Sequence, residues 1–531
     1  MKSIINIAFV LSILFVSCKK QLEETPYSSL PPEQVFKDEA GLKKATLGAY
    51  QSWTFTGNDM SETLQRFVLV EGSNRYAAPG MGGGTGLVAP YYRYGHIPTD
   101  AAINTVWRRL FLSVARANTV IGNANVAVKD PSIANIYIAE ARFLRAYAYF
   151  NLVRLYGGVP IIDREIKSLE DEDLIYAAKA TIEQTYNFII DDLKYAESTL
   201  PDKWEGTDIG RISAGIAKAV LGKVYLTMGG EPLNKTEYFD LAAAKLQEVV
   251  GGANEAKYNF GLIDNFVDVF KLTNERNKEI LLSFGFFVNS VNPNGSPYPF
   301  YLFPRGLTAT AEQTSYGLAY DLFQLFDEGD TRRDVTLVER YVYTNTFQNE
   351  FDYGDSIIFD PVDKKYRNKR NGVVWGNPTA PNGISYGKLA RDPRPAGGAN
   401  NSYSTDMIEM RFSDVLLCLA EALIESGNSA DAMQHIDRVR ARAHADPYGA
   451  LSEEDARAAV RKERKLELVG EFTSLYDIRR WGVLEEEMAA TSVTNIVENT
   501  IAAYDPKFYL YPIPQSQIDA NPALIQNDGW K

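Results

Sequence analysis

The leader sets the conditions under which everything after it must fold. Residues 1–18, MKSIINIAFVLSILFVSC, carry a lone Lys2, an apolar run from Ile4 to Val16, then Ser17 and Cys18. The run is too short to span a bilayer as a stable helix, and its basic start and small-residue end read as a secretion signal, residues 1–17. Phe-Val-Ser-Cys matches a lipobox loosely, with Phe15 where leucine is usual. The expectation is therefore cleavage before Cys18 and acylation of its thiol and new amine. The alternative is an ordinary signal peptide with an incidental cysteine. Each buried methylene contributes about 0.8 kcal/mol, so several chains hold a body on a membrane almost permanently. The fold inherits one constraint. The sequence has two cysteines, and with Cys18 lipidated only Cys418 remains, so no intrachain disulfide forms and packing alone must hold the exported body. At 531 residues and 45% hydrophobic composition the chain is long enough for that. Cys418, within VLLCLAEAL, reads as an inert buried thiol.

Residues 18–34, Cys18 followed by KKQLEETPYSSLPPEQ, are polar and proline-bearing, an extended tether between lipid and body. No later segment approaches a transmembrane run, so the membrane is reached through the lipid anchor only. The net charge of −13 argues against nucleic acid and against polyanionic ligands as a default, without excluding a local basic pocket.

Helical periodicity runs around 37–53 and 99–124, where Trp107, Leu110, Phe111 and Val114 recur at helical spacing. The most apolar helix covers 135–156, with Phe143, Leu144, Tyr147, Ala148, Leu152 and Leu155 on a broad stripe that other helices must bury. Gly157 and Gly158 end it, and Pro160 prevents continuation. Further helices are read at 178–198, 213–228 and 238–250. From about 256 to 410 the apolar runs shorten and Asn, Asp, Gly and Pro become dense, the mark of loops and short strands inserted into a helical protein. Helical order resumes at 411: Val415, Leu416, Leu419 and Leu423 share a face, Gly427-Asn428 turns the chain, and Ala432, Ile436 and Val439 line the next helix. Short helix pairs with small residues where they cross follow the tetratricopeptide plan, and 213–250 reads the same way. The expected fold is mainly α. Its body spans 35–531, with a helical scaffold at 35–255 and 411–531 and an irregular insert at about 256–410.

Several chemistries find no support. MGGGTG (81–86) lacks a following Gly-Lys-Ser/Thr. His96, His435 and His444 have no cysteine neighbours for a zinc site. FDEGDTRRD (326–334) and DYGDS (352–356) offer oxygens for a structural calcium ion but do not fit EF-hand spacing, and no other cofactor is indicated. Glu463, Glu467 and Glu471 share one helical face, interleaved with Arg461, Arg464 and Lys465. That pattern reads as an ion-pair lattice clamping helices, since glycoside hydrolysis needs two carboxyls facing across a cleft.

What remains is aromatic. The chain has 31 Tyr, 26 Phe and 6 Trp. Arg75, Tyr76, Tyr91 and Tyr92, with Tyr94, lie in a long Gly/Pro/Tyr-rich loop, 75–98. Tyr298, Phe300 and Tyr301 lie in SPYPFYLFP, and Trp375 and Tyr386 in the later irregular region. A flat ring on a loop stacks against the apolar face of a pyranose while Arg, Asn and Asp bond its hydroxyls, so Arg75, Tyr76, Tyr91, Tyr92, Tyr298, Tyr301, Trp375 and Tyr386 are the ligand candidates. The competing reading is that each ring packs under its own loop.

With these residues in view, the chain resembles the SusD/RagB family of outer-membrane nutrient-binding lipoproteins. AEARFLRAYAYFNLVRLYGGVPI (139–161) and GRISAGIAKAVLGKVYL (210–226) look like the family's central helices. RFSDVLLCLAEALIESGN (411–428) with HIDRVRARA (435–443) is similar to its carboxy-terminal repeat, and ERKLELVGEFTSLYDIRRWG (463–482) and YLYPIPQSQIDANPALIQNDGW (509–530) resemble its closing signatures. Members often have Glu-Gly-x-Arg-Trp/Tyr where this chain has Glu471-Phe472-Thr473-Ser474-Leu475, a departure expected to alter helix-end packing. The resemblance implies a helical scaffold with tetratricopeptide-like units, an irregular ligand-binding part, and a surface-exposed, non-enzymatic role in capturing glycans. It also implies a SusC-like TonB-dependent transporter as partner. Ligand residues vary among members, so none transfers by motif. A binder of peptides or another nutrient is the alternative within the family, and a secreted glycoside hydrolase the alternative outside it.

Overall fold

The computed structural model describes residues 32–54, 61–79, 90–286, 295–304, 306–307, 316–344, 352–363, 365–375, 384–388, 403–490 and 502–530. The leader, Cys18 and most of the expected tether lie outside the described residues, as does the glycine run 81–86. The tether's end is not extended, because Pro32–Val35 forms a helical turn.

The helices that open the scaffold are α1 (Glu39–Gln51), α2 (Ser61–Glu71), α3 (Ala101–Ala127) and α4 (Pro131–Tyr156). The expected apolar stripe is the buried heart of α4. The Asp130 side chain accepts from the Ser132 N–H, Pro131 occupies the first turn, where its missing donor costs nothing, and Gly157 at φ +77 closes the helix. Helix α4 lies between α3 and α5 (Ile182–Thr199), which starts on a reciprocal Thr181/Gln184 capping box. Then α5 packs on α6 (Ala214–Gly229), α6 on α7 (Glu237–Gln247), and α7 on α8 (Phe412–Glu425). The row of helices therefore continues across the insertion as though 248–411 were absent. Helices α9 (Ser429–Arg442) and α10 (Glu453–Leu468) pack on α8, and α11 (Ser474–Arg480) and α12 (Leu484–Ala490) follow. Gly427 at φ +78 makes the α8–α9 turn.

Between α7 and α8 the chain forms short strands, joined by one strand from the segment between α2 and α3. A four-stranded antiparallel sheet has the order β1 (Ala77–Pro79), β3 (Tyr316–Leu318), β9 (Ile384–Tyr386), β4 (Leu337–Val338). A second runs β5 (Arg340–Val342), β6 (Ser356–Asp360), β7 (Lys365–Asn368), β8 (Val374–Trp375), and β2 (Ile280–Phe284) pairs with β10 (Met407–Arg411). The two four-stranded sheets meet at Tyr366, whose hydroxyl receives the Ser385 N–H and donates to the Val338 carbonyl. The expectation of loop throughout 75–98 is corrected by β1. Its partner, β3, is remote in sequence, and no local pattern at 77–79 reveals it.

Glu463 and Glu467 of α10 form the expected lattice, but Glu471 does not share their helical face, because α10 ends at Leu468 and the chain turns at Gly470 (φ +79); it joins the lattice from beyond the helix. Arg332 lies between Asp330, Glu463 and Glu467, the last at 3.1 Å. Arg411 reaches Glu279 at 2.6 Å, Glu467 at 2.8 Å and Glu471 at 2.6 Å. Arg442 adds a contact to Glu279 at 3.0 Å, and Lys388 reaches Glu471 at 2.7 Å. All of these groups are buried. Asp330, Arg332 and Lys388 come from the insert, while Glu463 and Glu467 come from α10, so the lattice joins the two parts of the molecule.

Candidate functional site

Four of the candidates, Arg75, Tyr76, Tyr298 and Tyr386, come together through the first sheet and α2. The Tyr76 carbonyl accepts from the Ala319 N–H as the chain enters β1 beside β3, and Tyr386 ends β9 in the same sheet. Phe67 of α2 lies beneath, with ring centroids 5.8 Å from Tyr298 and 5.0 Å from Tyr316. The Arg75 guanidinium stands 5.0 Å from the centre of the Tyr76 ring.

Burial separates the candidates. Tyr91, Tyr92, Tyr298 and Tyr386 are 2% exposed or less. The expectation that their ring faces lie open is corrected: all four are buried, and Tyr91, Tyr298 and Tyr386 pack against residues remote in sequence. Tyr91 stacks on His96 and meets Tyr511 edge-on. Tyr298 sits against Phe67 and Phe472. Tyr386 packs on Gly470, at φ +79, where a Cβ would come within 2.4 Å of the ring. Arg75 and Tyr301 are half-buried, the latter beside Phe300 at 5.1 Å. Tyr76 is buried but edges a small pocket shared with Lys465, Trp481 and Glu487. The Trp375 backbone pairs with Tyr366 at the edge of the second sheet, and its side chain lies outside the described residues.

One group of rings was missed. Tyr320 stacks on Phe323 at 5.0 Å and 12° and on Phe359 of β6 at 6.0 Å and 24°, with Arg333 over Phe323 at 4.8 Å. Both Tyr320 and Phe323 are half-buried. Burial pushes the Tyr76 hydroxyl up to about 12, moderated by Arg75 and reinforced by Glu487 and by Asp321, which neighbours Tyr320. The available signal was the i, i+3 spacing of Tyr320 and Phe323, which puts two rings on one side of a helical turn.

The carboxylates that the sequence offered for hydrolysis or for calcium have basic partners. Glu463, Glu467 and Glu471 are spent on guanidinium and ammonium groups. Asp327 binds Arg440 and Lys462, and Asp355 binds Arg370, which accounts for the segments considered for calcium. Among the described residues no group of three or more His, Cys, Asp or Glu is placed to hold a metal ion. Burial lowers His96 to about 3 and His435 to about 4, leaving both neutral, and raises the Cys418 thiol to about 12, so it is inert. The departure at 472–475 has a local purpose. The backbone N–H groups of Thr473 and Ser474 and the Ser474 hydroxyl donate to the buried Glu71 carboxylate, placing a negative charge at the start of α11.

Comparison with known proteins covers nearly the whole chain. A family model described as "SusD family" matches residues 242–530, and one described as "Starch-binding associating with outer membrane" matches 20–226. The chain is 29% identical to SusD-like protein P2 of Formosa agariphila, over 98% of this chain and 99% of that one. Among solved structures, a SusD homolog of Bacteroides thetaiotaomicron superposes with a TM-score of 0.78 at 21% identity, covering 94% of this chain and 98% of that one. A laminarin-binding SusD-like protein superposes at 0.73 and 22%, covering 93% and all of that chain. Among the described residues no helix is long and apolar enough to cross a membrane. With one family model spanning more than half of the sequence and sharing its helical architecture with solved members, the chain belongs to the SusD/RagB family.

Proposed function

We propose that this protein is a cell-surface lipoprotein, anchored through Cys18 in the outer membrane, that binds oligosaccharides or polysaccharides and delivers them to a SusC-like TonB-dependent transporter. It performs no chemistry on its cargo. The observation that carries this reading is the family match, which takes in both halves of the chain and includes a description that names starch binding and the outer membrane. The laminarin-binding protein of similar fold supports a saccharide as cargo. The residues to which this reading assigns ligand contact are Arg75, Tyr76, Tyr301 and Trp375, with the stacked Tyr320: rings of this kind meet the apolar faces of sugar units, and Arg75 would bond their hydroxyls. Affinity is weak to moderate, because sugar hydroxyls are costly to desolvate.

The test is a calorimetric screen of the mature protein against diverse polysaccharides, run beside an assay for released reducing ends. Binding without release is expected, and Trp375→Ala weakens it while leaving the melting temperature nearly unchanged. Released reducing ends would overturn the non-catalytic reading in favour of the hydrolase. A blank glycan screen with peptide capture would replace the saccharide by a peptide.

A further inference from the structure

Where the helical row meets the insert lies an open groove that involves none of the rings discussed above. Tyr258 and Phe260 are buried in its wall, and Trp204 is half-exposed along it. The Trp204 indole is held at two points: its Nε1–H donates to the Ile212 carbonyl at 2.8 Å, and the Arg211 guanidinium sits 4.0 Å from the ring centre. Arg211 is itself fixed by the buried Glu140 carboxylate. Such an indole is pre-organised, so little freedom is lost when a ligand settles on it.

The charge of this groove runs against that of the molecule. In a chain of net charge −13 its lining includes Lys203, Arg211 and Arg276, and no Asp or Glu. Arg211 is neutralised by Glu140, but Arg276 is exposed and makes no ion pair among the described residues. Its guanidinium donates only to the Ile209 carbonyl, at 3.3 Å. It lies across Gly210, where a Cβ would come within 3.4 Å of Nε. Lys203 has only the exposed Glu205 at 3.8 Å. The acidic groups that feel Arg276 are Glu275 and Asp406. Burial and the charge of Asp406 push Glu275 up to about 8, so near neutral pH this pair retains a proton and offsets only part of the cationic charge.

We propose that this groove is a second saccharide subsite, selective for acidic sugar units, in which the Trp204 ring carries the apolar face of the sugar and Arg276, with Lys203 behind it, pairs its carboxylate. A planar guanidinium with free donors matches a carboxylate better than it matches hydroxyls, and charged hydrogen bonds are the stronger kind. The inference rests on the saccharide-binding reading above, and its failure is separable from the failure of that reading.

The experiment is calorimetry of the mature chain with a tetrasaccharide of galacturonate and with its neutral galactose counterpart, in the wild type, Arg276→Gln, Trp204→Ala and Trp375→Ala. The expected result is that Arg276→Gln weakens the galacturonate by roughly ten- to a hundredfold, as loss of a charged hydrogen bond worth about 1.5–3 kcal/mol implies, and leaves the neutral sugar unchanged. Trp204→Ala removes the same binding, while Trp375→Ala does not. Galacturonate binding that is indifferent to both groove variants would overturn the subsite. So would binding that high salt abolishes and Trp204→Ala does not touch, since that is charge attraction without a site. If neutral sugars bind and Trp375→Ala alone weakens them, the general reading stands without the subsite. If no saccharide binds, both fall.

Discussion

Tyr92 and Tyr301 look alike in sequence, each an aromatic in a proline-bearing loop, and differ in what surrounds them. Tyr92 is 1% exposed, whereas Tyr301 is half-buried. Tyr92→Ala therefore opens a core cavity and costs about 3–5 kcal/mol, while Tyr301→Ala costs less than about 2 kcal/mol, both read by chemical unfolding. The abundance of rings and their placement in loops were legible from composition and turn residues. Which rings face outward was not, because that depends on chain remote in sequence, such as Tyr511 behind Tyr91 or Gly470 behind Tyr386. Two carboxyls carry opposite pH signatures. Burial alone would raise Glu467, but Arg442, Arg411 and Arg332 hold it well below the usual carboxylate range. Its contribution is thus fully present above about 4.5 and is lost as pH falls, so Glu467→Gln flattens the acid side of the stability profile. It also destabilises the protein at neutral pH by about 3–5 kcal/mol, because buried guanidinium groups lose their partner. Glu275, raised from 4.5 to about 8, runs the other way. Its protonated form is favoured in the fold, so stability declines as pH rises from 4.5 towards 8 and Glu275→Gln removes that decline. Urea unfolding across this range in the two variants distinguishes the signs.

At the scale of elements, the α6–α7 crossing shows how small residues permit close packing. Gly215, Gly222 and Gly229 recur every seventh residue on α6. A Cβ at these positions would come within 2.6 Å of Tyr258, 2.5 Å of Leu246 and 2.5 Å of Phe239 respectively. The glycines let α7 and the segment after it lie against the α6 backbone, at a cost of about 1 kcal/mol each in helix propensity. Alanine at 222 recovers that propensity but must displace Leu246. Leucine there cannot be accommodated without separating the helices, so Gly222→Leu should destabilise by more than about 2 kcal/mol, seen as a lower denaturant midpoint with unchanged slope. Helix pairs were legible here because periodicity and capping are local, and α4 and α6 end within a few residues of the expected positions. The strands were not. Strands β1, β3, β4 and β9 are two or three residues long and have partners far away in the chain, so no alternation had room to appear, and β8, though paired with its neighbour β7, is only two residues long.

Across the whole molecule, the insert neither folds apart nor interrupts the helical row. It is joined by charges buried along the seam. Glu409 of β10 accepts from Arg66 of α2 and, at 2.9 Å, from the Tyr147 hydroxyl of α4. Arg332 in the insert pairs with Glu463 and Glu467 of α10, and Glu279 before β2 pairs with Arg411 and Arg442. The arginine and glutamate composition of α10 was legible as a lattice. Its second half was not, because Arg332, one of an arginine pair, and Lys388 lie in short segments whose pattern does not tell a buried cation from an exposed one. A seam of buried ion pairs makes the unfolding of insert and scaffold cooperative, since opening either part strands charges in the other. The wild type should therefore melt in one calorimetric transition. Arg332→Leu strands Asp330 and takes from Glu463 and Glu467 their partner across the seam, leaving them Arg440, Arg411 and Arg442, while sparing the contacts within the helical row. Its endotherm should split, with the insert opening first and amide exchange rising in β3, β4 and β9 before α4, α6 and α8. A single endotherm that merely moves to lower temperature, with exchange rising everywhere together, would mean that the apolar core, rather than the charged seam, couples the two parts.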